Sequence, residues 1–294
     1  MVQPYPYKSI RPTLEGMPTM QIGIDAGASK IAVGTDDPFA PTKLFKVSGY
    51  FNRDIHNIVE AVHELSSEFA EPLTGIGLAA PGTLNATRTR IDKSANLPDW
   101  EGRDVVTWIQ DAFTSTRVVL GNDVEAQALG EAYYGHGRNF PTVLLIGWGT
   151  GIGSATVSTV SGKPVVTPGE LGHTELDHTG MYLCGCKQFG CLEYFAGGGS
   201  IGKRYNRLAS DMSWPQWSEV LNYMAIALKN TLTANPVDLV AFSGSVALHN
   251  ADRIEQLRQR VIERTTFQKI PPFEITALGA NLGTVGAAAL LNQF

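Results

Sequence analysis

The sequence predicts a duplicated α/β fold in two domains, and three observations carry that expectation. Apolar runs of strand length alternate with stretches of helical period, a glycine-rich turn twice follows such a run, and no low-complexity linker interrupts the chain. Aligning Asp25-Ala26-Gly27 on Gly147-Trp148-Gly149 offsets the two turns by 122 residues. Two turns of one kind at the heads of two α/β halves point to an internal duplication with a ligand cleft between the halves.

The elements follow in order. Residues 1–19 carry Pro4, Pro6, Pro12 and Pro18 among polar residues and read as an arm, so regular structure is expected from Met20. From Met20 to Val47, short apolar runs broken by Gly and Pro give a strand, a tight turn and two further strands. Between Arg53 and Phe69, Ile55, Ile58, Val59, Val62, Leu65 and Phe69 recur at steps that place them on one helical face. Leu73 to Ala80 reads as a buried strand, Val105 to Phe113 as a helix, and Arg117 to Leu120 as a strand that leads into a helix opened by Asp123.

The programme restarts with a strand from Thr142 to Ile146, the second turn and another strand. Helices are expected at Trp217–Leu232 and Arg253–Arg264, strands at Leu239–Phe242 and Phe273–Ala277, and a closing Ala-rich helix at Asn281–Leu291. The expected division is an arm 1–19, a smaller domain 20–121 on which helix 281–294 packs, and a larger domain 122–280.

Composition narrows the class. With 294 residues, 43% hydrophobic and 17% charged, the chain can bury a sizeable core. A formal net charge of -5 and no Lys/Arg run argue against a nucleic-acid partner, which needs a concentrated basic face. No apolar stretch approaches the roughly 18 residues of a membrane span, and the first residues lack the apolar core of a signal peptide, so a cytoplasmic protein is expected.

All three cysteines lie in one eight-residue stretch, Cys184-Gly185-Cys186-Lys187-Gln188-Phe189-Gly190-Cys191, with Glu170-Leu171-Gly172-His173 upstream. Three thiols and an imidazole make a donor set for tetrahedral structural zinc. The bland alternatives are a strained Cys184–Cys186 disulfide with one thiol left over, or three unrelated core cysteines. His178 is a second candidate for the fourth ligand.

Glycine-rich turns suit phosphate because the backbone can approach closely and turn its N–H groups to the anion. Around the first lie Asp25, Gly27, Ala28, Ser29 and Lys30; around the second, Gly149, Thr150 and Gly151. Asp25 offers a ligand to Mg²⁺ through water, and Lys30 a point charge. Asn122 or Asp123 would serve equally as a helix cap.

Several of these segments together resemble one family. Glu-x-Gly-His followed by Cys-x-Cys and a further Cys-x-Glu, with Ile22–Lys30, Gly121–Glu131 and Gly147–Gly153 in that order, is similar to the ROK proteins, a group of sugar kinases and sugar-responsive repressors. The resemblance runs from about residue 20 to the end and implies the actin-like, ribonuclease H-like duplicated fold. It implies ATP as phosphoryl donor, Mg²⁺ held by Asp25 and Asp123 through water, and Asp123 as catalytic base. It assigns structural Zn²⁺ to His173, Cys184, Cys186 and Cys191. It gives sugar hydroxyls to Glu170, His173, Glu193, Asn122 and Asp123, with Gly82, Thr83 and Asn96 in neighbouring sugar loops. Gly244, Ser245 and Gly279 fall where the family lines its adenosine pocket. A homodimer is the common assembly of such relatives.

What the resemblance implies is a hexose kinase acting at the 6-hydroxyl, glucokinase first, with N-acetylglucosamine, N-acetylmannosamine or fructose kinases as alternatives and polyphosphate as an alternative donor. A non-catalytic sugar-sensing regulator is the competing class; twenty residues ahead of the first turn are too few for the DNA-binding domain of the family's repressors. A zinc-stabilised interaction module would leave both turns unexplained. The chain departs from the family pattern at Ala28, Ser29, Glu125, Lys187, Ser243 and Ser245, and by one extra position between His173 and Cys184.

Overall fold

Strands of near-continuous apolar character need cover on both faces, and here they collect into two five-stranded sheets built on one plan. The computed structural model describes residues 13–14, 17–94 and 96–294. By contact the chain divides into two units, Met1–Ala126 with Gly283–Phe294, and Gln127–Leu282. Residues 1–12 of the expected arm lie outside the described residues; within the arm, β1 (Thr13–Leu14) and β2 (Met17–Pro18) pair antiparallel, a short ladder that its proline content does not announce.

In the first unit β3 (Met20–Ala26), β4 (Lys30–Thr35), β5 (Lys43–Lys46) and β6 (Leu73–Ala80) come first in the chain. A two-stranded ladder of β7 (Thr83–Leu84) and β8 (Ile91–Lys93) follows, and β9 (Arg117–Asn122) completes the sheet in the order β5-β4-β3-β6-β9. Antiparallel pairing joins β3 to β4 and β4 to β5, whereas β3–β6 and β6–β9 are parallel. Helix α1 (Phe51–Glu68) buries Ile55, Ile58, Val62 and Leu65 of the predicted stripe together with Phe51 and Ala61, while Val59 and Phe69 are only partly buried, Phe69 just past the helix end; α2 (Val105–Ala112) adds Val105 and Ile109 to the same core.

Helix α3 (Asp123–Tyr134) starts in the first unit and continues into the second. There β10 (Thr142–Trp148), β11 (Ile152–Val160), β12 (Lys163–Gly169), β13 (Leu239–Ser243) and β14 (Phe273–Ile275) form the sheet β12-β11-β10-β13-β14. Two antiparallel pairings are again followed by two parallel ones. The hairpins correspond closely: Ala26 pairs with Ile31 in the first and Trp148 with Ile152 in the second, so the offset of 122 seen in the sequence holds where each incoming strand ends, and the second turn is one residue shorter.

Short helices α4 (Leu192–Ala196) and α5 (Gly198–Tyr205) precede the long α6 (Trp214–Ala234), followed by α7 (Ser245–His249) and α8 (Asp252–Glu263). A capping box between Ser213 and Gln216 starts α6, which buries Trp217, Leu221, Met224 and Leu228 against Ile146, Trp148 and Phe242. Trp217 meets Trp148 edge to face at 6.1 Å.

The last helix, α9 (Leu282–Ala289), lies on the sheet of the first unit with unusual closeness. A Cβ on Gly23 would stand 1.8 Å from the Thr284 carbonyl oxygen, and one on Gly77 1.8 Å from that of Ala287, so only glycine lets helix and sheet backbones touch there.

Candidate active site

In the first unit the predicted residues gather at the ends of β3 and β9. The four residues after Ala26 close a hairpin in which the Gly27 N–H donates to the Lys30 carbonyl at 2.9 Å, leaving Ala28, Ser29 and Lys30 exposed. Asp25, just before the turn, is half-buried beneath it. Desolvation pushes its carboxyl up to about 6; the charge of Asp123 adds to the rise and Lys30 opposes it. A divalent cation would relieve the repulsion that the Asp123 charge exerts on Asp25, so the pair fits the metal role assigned to it. Gly283 was not foreseen in this site: a Cβ there would lie 2.0 Å from Asp25 Oδ2, and no sequence signal marks it.

Asn122 caps α3, its Oδ1 accepting the N–H groups of Val124 at 2.9 Å and Glu125 at 3.4 Å. Glu125 returns the bond, its Oε2 accepting the Asn122 N–H at 3.2 Å, which completes a capping box whose Asn-x-x-Glu spacing is visible in the sequence. Asn122 Nδ2 donates to the Gly82 carbonyl at 3.1 Å. Gly82 has φ +115 and sits where a Cβ would come within 2.1 Å of the Lys93 carbonyl oxygen. Asp123 thus opens a helix whose first turn is fixed on both sides, and the cap belongs to its neighbour Asn122. Thr83 and Asn96 are exposed. The segment after Asn96 is anchored to α1: Asp99 Oδ2 accepts the Phe51 N–H at its start, and Trp100 is buried with its indole N–H directed at Asp54.

The second unit assembles the other half of the predicted set. In its hairpin the Gly149 N–H donates to the Gly151 carbonyl at 3.0 Å. The N–H groups of Gly198 and Gly199 at the start of α5 bond the Gly149 and Thr150 carbonyls at 2.9 and 2.8 Å. Gly244, with φ +87, packs on Trp148, and Ser245 lies beside Gly149, so the second glycine turn and the predicted adenosine segment adjoin. Gly279, also at positive φ, follows Leu278, whose N–H bonds Thr276 Oγ1. That hydroxyl donates to the fully buried Glu131, which also accepts the His136 N–H at 2.8 Å.

His173, Cys184, Cys186 and Cys191 come together, their ligand atoms all within 4.8 Å of one another. Sγ of Cys186 and Cys191 are 3.7 Å apart, against about 3.8 Å for the edge of a tetrahedron with Zn–S near 2.3 Å. His173 Nδ1 is buried without a hydrogen-bond partner, the state of a ring nitrogen waiting for an electrophile. Burial, with Cys186 and Cys184 close by, pushes the Cys191 thiol up to about 12, and burial raises Cys184 too; a cation is what such thiols require before they ionise. The donor set therefore fits zinc. No cysteine is in a disulfide, and His178 is exposed and outside the set of four.

The cluster fixes the sugar candidates locally. Glu170 precedes a 3-10 turn in which the His173 N–H donates to its carbonyl at 3.0 Å, and its side chain is exposed. Glu193 follows Cys191 by two residues and turns its Oε2 to the Ile152 N–H at 2.8 Å. Lys187 adopts φ +71, a left-handed conformation that costs a side-chain residue about 1–2 kcal/mol.

Twin sheets of one strand order, each headed by a glycine hairpin, define the actin-like ATPase fold. Within it, residues 21–294 match the ROK family, and the chain belongs to that family. Its relatives include a glucokinase of Thermotoga maritima, 24% identical over 94% of this chain and 99% of that protein, and an N-acetyl-D-glucosamine kinase of Yersinia enterocolitica, 27% identical over 92% and 99%. Among solved structures, the ROK hexokinase of Thermus thermophilus has a TM-score of 0.78 at 27% identity, covering 92% of this chain and 97% of that one.

Proposed function

We propose that this sugar kinase transfers the γ-phosphate of ATP to the 6-hydroxyl of a hexose, glucose first among the acceptors. The observation that carries the reading is the meeting of the Asp25 and Asp123 charges beside a glycine hairpin in one unit. Asp123 would accept the proton of the attacking hydroxyl as the new O–P bond forms and the bond from γ-phosphorus to the bridging oxygen breaks, releasing ADP. A base contributes roughly 10²–10⁴-fold, the remainder coming from positioning and charge neutralisation. Mg²⁺ held by Asp25 and Asp123 would supply charge neutralisation at the phosphates.

In the second unit Glu170, His173 and Glu193 would receive the sugar hydroxyls, carboxylates accepting them in pairs. Zinc at His173, Cys184, Cys186 and Cys191 would hold the loop, and nothing in its closed donor set suggests chemistry at the metal. Gly149, Thr150 and Gly151 would take the phosphate tail, and Gly244, Ser245 and Gly279 the adenosine. Among the described residues no helix is long and apolar enough to cross a membrane, and we place the enzyme with its ATP in the cytoplasm, as a homodimer.

An N-acetylhexosamine kinase is the second reading, favoured by N-acetyl-D-glucosamine kinases among the relatives, 28% identical in Erwinia tasmaniensis. A coupled ADP-release assay over glucose, mannose, fructose, N-acetylglucosamine and N-acetylmannosamine separates the two. Sugar-dependent turnover supports catalysis, and tight sugar binding without turnover would favour a sensor instead.

A further inference from the structure

Glu125 carries a carboxylate that the capping box alone does not satisfy. Its side chain is 4% exposed, and Arg88 meets it with a two-pronged pair, Nη1 to Oε2 at 2.8 Å and Nη2 to Oε1 at 3.1 Å. Arg88 arrives from the turn that joins β7 to β8 and holds φ +52, uncommon for a residue with a side chain. The turn is rigidly built: Asn85 Oδ1 accepts the N–H groups of Thr89 and Arg90 at 2.9 and 3.0 Å, and the Arg88 N–H bonds the Asn85 carbonyl at 3.0 Å. On its other face the guanidinium lies 3.8 Å from the centre of the Phe294 ring.

We propose that Arg88 is a positioning residue for Asp123, acting through Glu125; this rests on the kinase reading above. The chain of contact is continuous within one unit. Arg88 fixes the Glu125 carboxylate, Glu125 Oε2 receives the Asn122 N–H, and the Asn122 side chain in turn holds the N–H groups of Val124 and Glu125 around Asp123. Without Arg88 a buried carboxylate would be left with one backbone partner and no counter-charge, and would turn toward water, releasing the cap. The base would then sit in a looser turn, and positional loss of this kind lowers turnover while leaving Glu170, His173 and Glu193 where they are.

The test compares Arg88→Met with Arg88→Met/Glu125→Gln, since glutamine at the third helical position still accepts the cap bond and leaves no charge unpaired. In ADP-release kinetics, Arg88→Met is expected to lower kcat by about ten- to a hundredfold, with sugar KM changed by less than about threefold. The double variant is expected to recover to within about threefold of wild type. Amide hydrogen exchange at Val124 and Glu125, read without turnover, should quicken in the single variant and return in the double.

A single variant within twofold of wild type in kcat, or a folded double variant as impaired as the single, overturns the inference. Should Arg88→Met fail to fold, the double variant decides alone: near-wild-type kcat supports the role and a tenfold loss overturns it. Should the wild type release no ADP with any of the five sugars, the kinase reading falls. Exchange then judges Arg88 by itself, unchanged protection in the single variant overturning the role.

Discussion

Glu193 and Ile152 join the cysteine loop to the second glycine hairpin: the carboxylate two residues past Cys191 accepts the Ile152 backbone N–H at 2.8 Å. The same Oε2 lies 2.5 Å from where a Cβ on Gly151 would stand. One side chain thus senses the placement of both the cysteine loop and the hairpin.

Gly151→Ala is therefore expected to displace Glu193 and raise KM for sugar and nucleotide together. Glu193→Gln keeps an acceptor for Ile152 and loses the charge, so it should raise sugar KM by about tenfold or more and leave nucleotide KM within about threefold. Steady-state kinetics with each substrate varied distinguishes them. Sugar KM unchanged in Glu193→Gln would remove Glu193 from the sugar site.

Asp123→Asn should preserve the helix start, because Asn122 and Glu125 make the capping box. Sugar affinity by calorimetry is expected to stay within about threefold while kcat falls by roughly 10²–10⁴-fold. Turnover at the wild-type rate would exclude Asp123 as the base.

One zinc per chain is expected by elemental analysis of freshly purified protein. Cys186 is the exposed member of the cluster, so Cys186→Ser should remove the ion with the least damage to the core. Sugar KM should rise about tenfold as Glu170 and Glu193 lose their anchor. Full zinc content in that variant would contradict the four-ligand assignment.

Asp25 sets a pH dependence whose sign can be worked out. Its carboxyl is raised from 3.8 to about 6 in the folded chain, so between roughly pH 4 and 6 the folded state holds the extra proton. Stability then falls as pH rises through that window, and the full penalty stands above it. Asp25→Asn removes the penalty and should raise the urea midpoint over wild type at pH 7.5 in Mg²⁺-free buffer, an advantage that vanishes near pH 4. Equal differences at both pH values would mean that Asp25 titrates normally.

Much of this architecture is legible in the sequence where the signal is local. Leu73–Ala80 is a strand with the expected bounds because an unbroken apolar run between turn residues leaves little choice, and α1 follows its stripe from Ile55 to Leu65. The edge strand β12 is not anticipated: its residues are mostly exposed and carry no apolar period. Its one cue is Ser161-Gly162, whose φ values of +50 and +80 make the two-residue turn that pairs Val160 with Lys163. The cysteine cluster and the glycine hairpins are short-range motifs and can be read directly. Gly283 against Asp25 and Arg88 against Glu125 join residues far apart in the chain, and only folding brings them together.

The contact of Gly23 and Gly77 with Thr284 and Ala287 has a consequence for biosynthesis. The first sheet leaves the ribosome early, yet the backbone that must lie on it is translated only after all of residues 127–282. Vectorial folding is thereby inverted: the unit encoded in the middle can finish first, while the one encoded at the beginning waits, one face bare, for the final helix to be made.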